Sequence, residues 1–492
     1  MTQLMIWSDL PALFRAADGI ARLEADGLEI TDEAAFRSRL VDDLVVNAVF
    51  ADDPVRSVAR WILRVAAPKL GAYPASIHDL YISAATGAYK NATAPAMNIR
   101  GLSYETMRAA FRAARALDAK ILLFELARSE MGYTQQRPGE YAACAFAAAI
   151  KENWRGPVFV QGDHYQVGIK KYAADPEGEL AAVRDLITEA INAGYYNIDV
   201  DASTIVDLSQ PTLRDQQVRN SAITAAMTAH IREIEPRGIT VSVGGEIGEV
   251  GHRNSTVEDL DAFMGLYTED LGKESRRLGK DLTGLSKVSV ATGTHHGGII
   301  LPDGSMQDVA VDFQVLADLS VAAHGYGLGG AVQHGASTVP MEYFNLFSQA
   351  NAVEVHLASA FQTIFFEHPA LPSALRKDIN NYLFANHGGD RKPGQNDTQF
   401  LYGALKHAWG PFKRQLWEMD SETRGQIMAS LEERFSLIMS RLGVANSAAI
   451  VDQRVKLVDV HVPAPAALGK ALRGEAIAGG GKETHDLHDE GE

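Results

Sequence analysis

Residues 157–201, PVFVQGDHYQVGIKKYAADPEGELAAVRDLITEAINAGYYNIDVD, show the pattern that decides the fold. A short apolar run, PVFVQG (157–162), precedes a stretch with helical periodicity, GELAAVRDLITEAINAG (178–194). Gly194 suits a left-handed helix C-cap, and a second apolar run, YNIDVD (196–201), follows it. The segment predicts a strand–helix–strand unit, which belongs in a parallel sheet.

The same unit recurs between residues 93 and 370. Short apolar runs alternate there with helical stretches, and the runs stand at 94–99, 120–126, 157–162, 196–201, 239–244, 287–292, 329–334 and 352–357. Eight such units over this length predict an α/β fold, a (β/α)8 TIM barrel. An open doubly wound sheet is the competing architecture, and it is disfavoured because no GxGxxG turn follows the first strand.

The flanking segments predict additions to this barrel. Residues 1–92 predict a helical N-terminal extension and connector, in which ALFRAADGIARLEADG (12–27) has apolar residues at helical spacing. Residues 371–462 return to helical patterning. Residues 463–492 have low hydrophobicity and a GGG run, so we expect a disordered tail.

Composition excludes several classes of protein. The 492 residues are 46% apolar and 22% charged, which is typical of a globular chain with a large core. A net charge of −16 argues against binding to nucleic acid or to an anionic membrane surface. The single cysteine, Cys144, allows no intramolecular disulfide, and no signal or membrane-spanning pattern is visible, so we expect a cytoplasmic protein.

Polar residues cluster just past the predicted strands, where the active site of such a barrel lies. Three histidines, His164, His296 and His334, follow three different strands. Three imidazoles with an open position are the ligand set of a catalytic zinc site, although each histidine alone could be a hydrogen-bonded residue at the rim. Glu246 could join them as a ligand, or could cap the next helix.

Asp163 stands directly before His164. A carboxylate beside a Lewis-acidic metal suits proton transfer to and from a sugar hydroxyl, and the alternative is a partner that orients a histidine. Glycines flank the histidines and would let backbone amides approach an anion, or would simply form tight turns.

Six motifs across residues 93–366 resemble, in order, those of the class II, metal-dependent fructose-bisphosphate aldolase family. They are PAMN (95–98), GDHYQ (162–166), IDVDAST (198–204), GGEIGEVG (244–251), GTHHGG (293–298) and QHGAST (333–338). Six short motifs in the right order are far more specific than any one of them.

The resemblance implies a set of roles. Asp163 matches the acid/base aspartate, His164, His296 and His334 match the metal ligands, and Glu246 matches a second metal position. Glu249 and His252 fall on a loop that carries a catalytic carboxylate in the family. The residues that we expect to contact the substrate are Asn98, Asp201, Gly297, Gly335, Ala336, Ser337, His356 and Ser359. The implied cofactor is Zn²⁺ or another divalent metal, the substrate is a sugar or sugar phosphate, and the family habit suggests a homo-oligomer, a dimer or higher.

The chain departs from the family where the phosphate is held. The family pattern N-x-D-T-D after the eighth strand is replaced by HLASA (356–360), which removes both acids. The phosphate lysine has no counterpart in GGIILPDG (297–304). Arg100, Arg128 and Lys170 or Lys171 could supply an alternative anion site, or could be surface or rim charges. The reaction type is therefore better supported than the substrate.

Three functions remain open at this stage. The first is an aldolase that reversibly cleaves the C3–C4 bond of a ketose or ketose phosphate through a metal-bound enediolate. The second is a ketose C4-epimerase that uses retro-aldol cleavage and re-addition on the same site. The third is a catalytically inactive sugar-binding barrel, against which the retention of Asp163 with the three histidines argues.

Overall fold

Eight parallel strands close into a barrel in the computed structural model, which describes residues 4–88, 90–248, 253–293, 311–477 and 483. The strands in chain order are β1 (Ala21–Glu24), β2 (Gly27–Ile30), β3 (Ala72–Pro74), β4 (Ala94–Asn98), β5 (Leu123–Ala127), β6 (Gly156–Gln166), β7 (Asn197–Asp201), β8 (Ser242–Glu246), β9 (Lys287–Val290), β10 (Ala331–Gln333) and β11 (Glu354–Leu357). Strands β4 to β11 neighbour one another in sequence order, and β11 pairs with β4 to close the ring. All eight predicted strands are confirmed, but β6 continues to Gln166, so Asp163 and His164 lie within this strand rather than past its end.

Helices separate the barrel strands and extend beyond them at both ends. They are α1 (Leu10–Ala17), α2 (Glu33–Ala35), α3 (Val41–Phe50), α4 (Val55–Lys69), α5 (His78–Ala85), α6 (Ser103–Ala116), α7 (Glu130–Thr134), α8 (Pro138–Lys151), α9 (Ile169–Ala174), α10 (Pro176–Ala193), α11 (Leu213–Ile234), α12 (Val257–Leu278), α13 (Phe313–Gly325), α14 (Phe344–Gln349), α15 (Ser359–Glu367), α16 (Ser373–His387), α17 (Asp397–Ala404), α18 (Lys413–Trp417), α19 (Ser421–Arg441), α20 (Ala448–Arg454) and α21 (Ala466–Leu472). None of those in the described part of the chain is both long and apolar enough to cross a bilayer.

The helix between β6 and β7 shows how local sequence sets these units. Asp175 caps α10 by accepting a hydrogen bond from the Gly178 amide, and Pro176 occupies the first turn. Gly194 ends the helix with φ +105°, a left-handed value that favours glycine. The predicted C-cap is confirmed, and it turns the chain directly into β7.

The N-terminal extension differs from the prediction. The helical pattern over 12–27 ends at Ala17, and β1 and β2 form an antiparallel hairpin. Gly19 takes φ +72°, which breaks the helix, and Leu23 pairs opposite Leu28 across the hairpin. The connector also contains β3, which pairs in parallel with the start of β6 outside the ring. Tertiary pairing has overridden a locally plausible helix.

The C-terminal region is helical as predicted, from α16 through α20. The predicted disorder of 463–492 is wrong for its first part, because α21 forms at Ala466–Leu472 and fully buries Leu468. Burial of Leu468 against the rest of the protein orders this short helix in an otherwise polar segment.

Candidate metal and catalytic site

The site is built around an irregularity in β6. The pairing of β6 with β7 shifts register between Gly162 and Tyr165, and His164 adopts φ +39°. Neighbouring residues of a regular strand point to opposite faces, whereas a bulge re-aims a side chain. Here Asp163 and His164 both face the barrel interior, where each lies close to a histidine from another strand.

The first group is centred on His164, with His334 on one side of its ring and Asp201 and Glu246 on the other. His164 Nε2 lies 3.1 Å from His334 Nδ1. On the other side of the ring, His164 Nδ1 lies 3.0 Å from Asp201 Oδ2 and 3.3 Å from Glu246 Oε2. The group thus offers imidazole and carboxylate donors from β6, β7, β8 and the end of β10.

This donor set fits a divalent metal. Ligand atoms about 2.0–2.1 Å from a tetrahedral zinc ion lie about 3.3–3.4 Å from each other. The 3.1 Å between the facing ring nitrogens of His164 and His334 is close to that separation. Burial opposes protonation of His164, but Asp163 and Glu246 outweigh it and raise its pKa well above the usual value. The same negative field attracts a cation.

Hydrogen bonds orient these ligands. His334 Nε2 lies 2.9 Å from Ser289 Oγ of β9. Asp201 Oδ1 accepts from the Ser203 hydroxyl at 2.6 Å, and Asp201 Oδ2 accepts from Gln166 Nε2 at 2.7 Å. Both oxygens of Asp201 are therefore occupied. This geometry favours orientation of His164 by Asp201 over the substrate contact expected from the sequence.

His356 forms a second group with Asp163 and Glu125. Its Nδ1 lies 3.1 Å from Glu125 Oε2 and 3.2 Å from Asp163 Oδ1. Its ring centroid is 4.1 Å from that of His334, so the two groups adjoin. Burial disfavours the charged form of Asp163, but His164 and His356 outweigh it and lower the pKa of this carboxyl. Burial and then the charge of Asp163 raise the pKa of Glu125 to about 8.

A buried lysine lies behind His356. Lys287 is 1% exposed, and its Nζ donates to Gln161 Oε1 at 2.8 Å, to Asp199 Oδ2 at 2.9 Å and to Glu354 Oε1 at 2.5 Å. Burial opposes ionisation of Glu354, but Lys287 and His356 outweigh it and lower its pKa. Burial raises the pKa of Asp199 to about 6 despite the opposing charge of Lys287.

Glu125, Glu354 and Lys287 are functional candidates that were not predicted from the sequence. Each lies in a strand rather than past its end, and each is at most 1% exposed. The available signal was a charged residue inside an apolar run, as in KILLFEL, KVSVAT and AVEVHL. A charge in a strand that is buried on both faces needs a partner, so three such runs predict an internal ion-pair network.

The remaining predicted residues divide into two sets. Those that fall outside the described residues are Glu249, His252, His296 and Gly297. Of the expected substrate contacts, Asn98 donates to Glu130 Oε2 at 2.5 Å, and Ser337 Oγ accepts from the Ala358 amide at 2.8 Å. Gly335 takes φ +70° ahead of the short turn at Ala336–Thr338, and Ser359 begins α15.

The arginines proposed as an alternative anion site are held in ion pairs. Arg100 lies 2.7 Å from Glu130, and Arg128 contacts the buried carboxylate of Glu179. Both pairs are largely buried, and Arg128 also donates to the carbonyl of Gln166. Lys170 is exposed on α9. Lys171, on the same helix, is half-buried.

The C-terminal region forms part of the barrel rim. A Cβ on Gly101, just past β4, would stand 1.9 Å from the Trp409 ring, so glycine is required for this approach. Trp409 Nε1 donates to Gln362 Oε1 at 3.1 Å, and the Gly410 amide donates to the Tyr133 carbonyl. The extension is therefore packed against the end of the barrel that carries the site.

Comparison with known proteins identifies the barrel. The family model described as fructose-bisphosphate aldolase class-II matches residues 80–401. A solved structure of fructuronate-tagaturonate epimerase from Cohnella laeviribosi is similar at a TM-score of 0.53 and 12% identity, covering 87% of this chain and 90% of that one. Fructose-bisphosphate aldolase from Campylobacter jejuni gives a TM-score of 0.42 and 15% identity, covering 75% and 93%. No curated protein matches the chain significantly by sequence.

Proposed function

The chain belongs to the class II fructose-bisphosphate aldolase family, and we propose that it is a metal-dependent lyase that reversibly cleaves the C3–C4 bond of a ketose or ketose phosphate. One observation carries the proposal. The bulge in β6 places Asp163 and His164 in the barrel interior together, with His334 3.1 Å from His164. A proton-transfer carboxylate thus adjoins a donor set that suits a divalent metal.

The metal would be held by His164 and His334, with Glu246 nearby and with His296 as the expected further ligand. When bound, such an ion polarises the ketose carbonyl as a Lewis acid. Asp201, fixed by Ser203 and Gln166, holds His164 in orientation.

Asp163 acts on the C4 hydroxyl in this proposal. Its lowered pKa keeps it ionised at neutral pH, so it can accept the hydroxyl proton. As the C4 oxygen becomes a carbonyl, the C3–C4 bonding pair moves to C3 and onto the C2 oxygen, which gives an enediolate and a free aldehyde. In the reverse direction the enediolate attacks the aldehyde, and Asp163 returns the proton to the C4 oxygen.

C4 epimerisation is the second candidate. It would use the same cleavage, followed by rotation of the retained aldehyde and re-addition to its other face. The observation that favours it is the breadth of the fold likeness to the Cohnella epimerase. That likeness covers 87% of this chain, and so extends beyond residues 93–370 into the flanking regions.

The experiment is a turnover screen with matched phosphorylated and unphosphorylated ketoses, including the corresponding uronates, with and without chelator. Released aldehyde is trapped enzymatically, and C4 inversion is read by NMR. We expect chelator-sensitive cleavage that Asp163→Ala abolishes, with Asp185→Ala on the outer face of α10 as the control. Inversion without trapped aldehyde would select epimerisation. Metal-free turnover, or full activity of Asp163→Ala, would refute both candidates.

A further inference from the structure

Four carboxyl groups and two basic side chains are buried together in the barrel interior. The carboxylates Glu125, Asp163, Asp199 and Glu354 are buried there, and they face Lys287 and His356. Uncompensated buried charge is very costly, because each ion has lost its hydration. Lys287 satisfies Glu354 and Asp199, which lie on its own side of His356. Glu125 and Asp163 lie on the opposite side of the ring.

The geometry around His356 singles out one nitrogen. Its Nε2 lies 2.7 Å from Glu354 Oε1, and Glu354 is held there by hydrogen bonds from Tyr81, Gln161 and Lys287. A neutral His356 that carries its hydrogen on Nε2, beside this carboxylate, has a free lone pair on Nδ1. The lone pair of Nδ1 then points between Glu125 Oε2 at 3.1 Å and Asp163 Oδ1 at 3.2 Å.

Buried polar atoms in this cluster lack hydrogen bonds. Within the described part of the chain, Glu125 Oε1, Asp163 Oδ1 and both ring nitrogens of His356 are fully shielded and have no hydrogen-bond partner. Such atoms are rare in native proteins and call for a water or an ion as partner. Glu125 Oε2, which also accepts from Gln161 Nε2, and Asp163 Oδ1 both lie beside His356 Nδ1. With a neutral ring these three atoms are all acceptors, which suits a cation.

We infer that Glu125, Asp163 and His356 form a second divalent-cation site, beside the one at His164 and His334, which Asp163 also adjoins. The ligand atoms of these three residues lie within 4.8 Å of one another. The separations from Nδ1 are close to the roughly 3.3 Å expected between ligands of one zinc-sized ion. Glu354 then completes a carboxylate–histidine–metal arrangement, in which the outer carboxylate fixes the ring.

One imidazole and two carboxylates suit manganese, iron or zinc better than the purely oxygen-liganded calcium. The inference adds a site to the proposed function without depending on turnover. Asp163 faces His356 through Oδ1, which leaves its second oxygen for a substrate hydroxyl. A proton on His356 Nδ1 is the rival occupant of the same space, and counting bound metal distinguishes the two.

The test is equilibrium dialysis of the chelator-stripped full chain against Mn²⁺, with free Mn²⁺ read from its EPR signal. We expect two ions per chain, and one fewer in Glu125→Gln, which keeps the shape of the side chain and removes a charge. His334→Ala is expected to lose the other ion. Glu140→Gln is the matched control, since Glu140 is an equally buried carboxylate that is paired with Lys413 instead.

The outcomes separate clearly. A single bound ion in the wild type, or an unchanged count in Glu125→Gln, would overturn the inference and leave a proton on His356. If circular dichroism shows that Glu125→Gln does not fold, His356→Asn tests the same site and must also lose one ion. Because the readout is bound metal, a chain with two ions and no aldolase activity would refute the proposed function while supporting this site.

Discussion

Replacing Lys287 by methionine should destabilise the protein more than any surface charge change. Lys287 is 1% exposed and contacts Asp199 and Glu354, so the variant leaves two buried carboxylates without their counter-ion. Removing one partner of a buried pair costs about 3–5 kcal/mol. Unfolding entropy of about 2.1 cal/mol/K per residue over 492 residues is about 1 kcal/mol/K, so Tm should fall by about 3–5 °C.

The loss of stability in Lys287→Met should depend on pH. In the wild type the pKa of Glu354 is lowered, so its contribution to stability is present above the unfolded value of 4.5 and is lost as pH falls below it. In Lys287→Met, burial without the ammonium raises that pKa above the unfolded value. The carboxylate then destabilises the variant increasingly as pH rises, and the Tm gap should widen from about pH 5 to about pH 8.

Differential scanning calorimetry at both pH values measures this gap. Lys273→Met is the control, because Lys273 is 66% exposed beside Asp270 and its pair should contribute less than about 1 kcal/mol. The double variant Lys287→Met/Glu354→Gln should regain part of the loss, since one orphaned charge is removed. A Tm change below 1 °C, or a gap that narrows with rising pH, would refute the account of the Lys287 network.

Two further predictions concern the rim and the bulge. Gly101→Ala should lower the free energy of unfolding by about 1–3 kcal/mol, because the new Cβ overpacks against Trp409. The variant should also speed limited proteolysis of the C-terminal region. Gly425→Ala, on the open face of α19, should have neither effect. His164→Ala and His164→Asn should both lose metal at the first site. The asparagine variant should have the higher Tm, because asparagine tolerates φ +39° better than alanine does. Equal Tm values would contradict backbone strain at this position.

The fold was largely predictable because its signals are local. Each barrel strand is a short apolar run and each intervening helix repeats at helical spacing, so eight units could be counted without any contact information. The hairpin at Ala21–Ile30 was not predictable in this way. Its residues also fit a helical period. They form a hairpin instead because Gly19 ends the preceding helix and because the two strands pair across the turn.

The sequence by itself determined that Asp163, His164 and His334 lie toward the carboxyl ends of barrel strands, since a residue that follows an apolar run in a β/α unit lies near the active face. The tertiary structure decided which of the interior charges meet. Barrel strands are buried on both faces, so they carry no alternation that tells an inward Glu125, Lys287 or Glu354 from an outward one. Strand register and the bulge in β6 set that direction, and both arise from pairing between segments far apart in the chain.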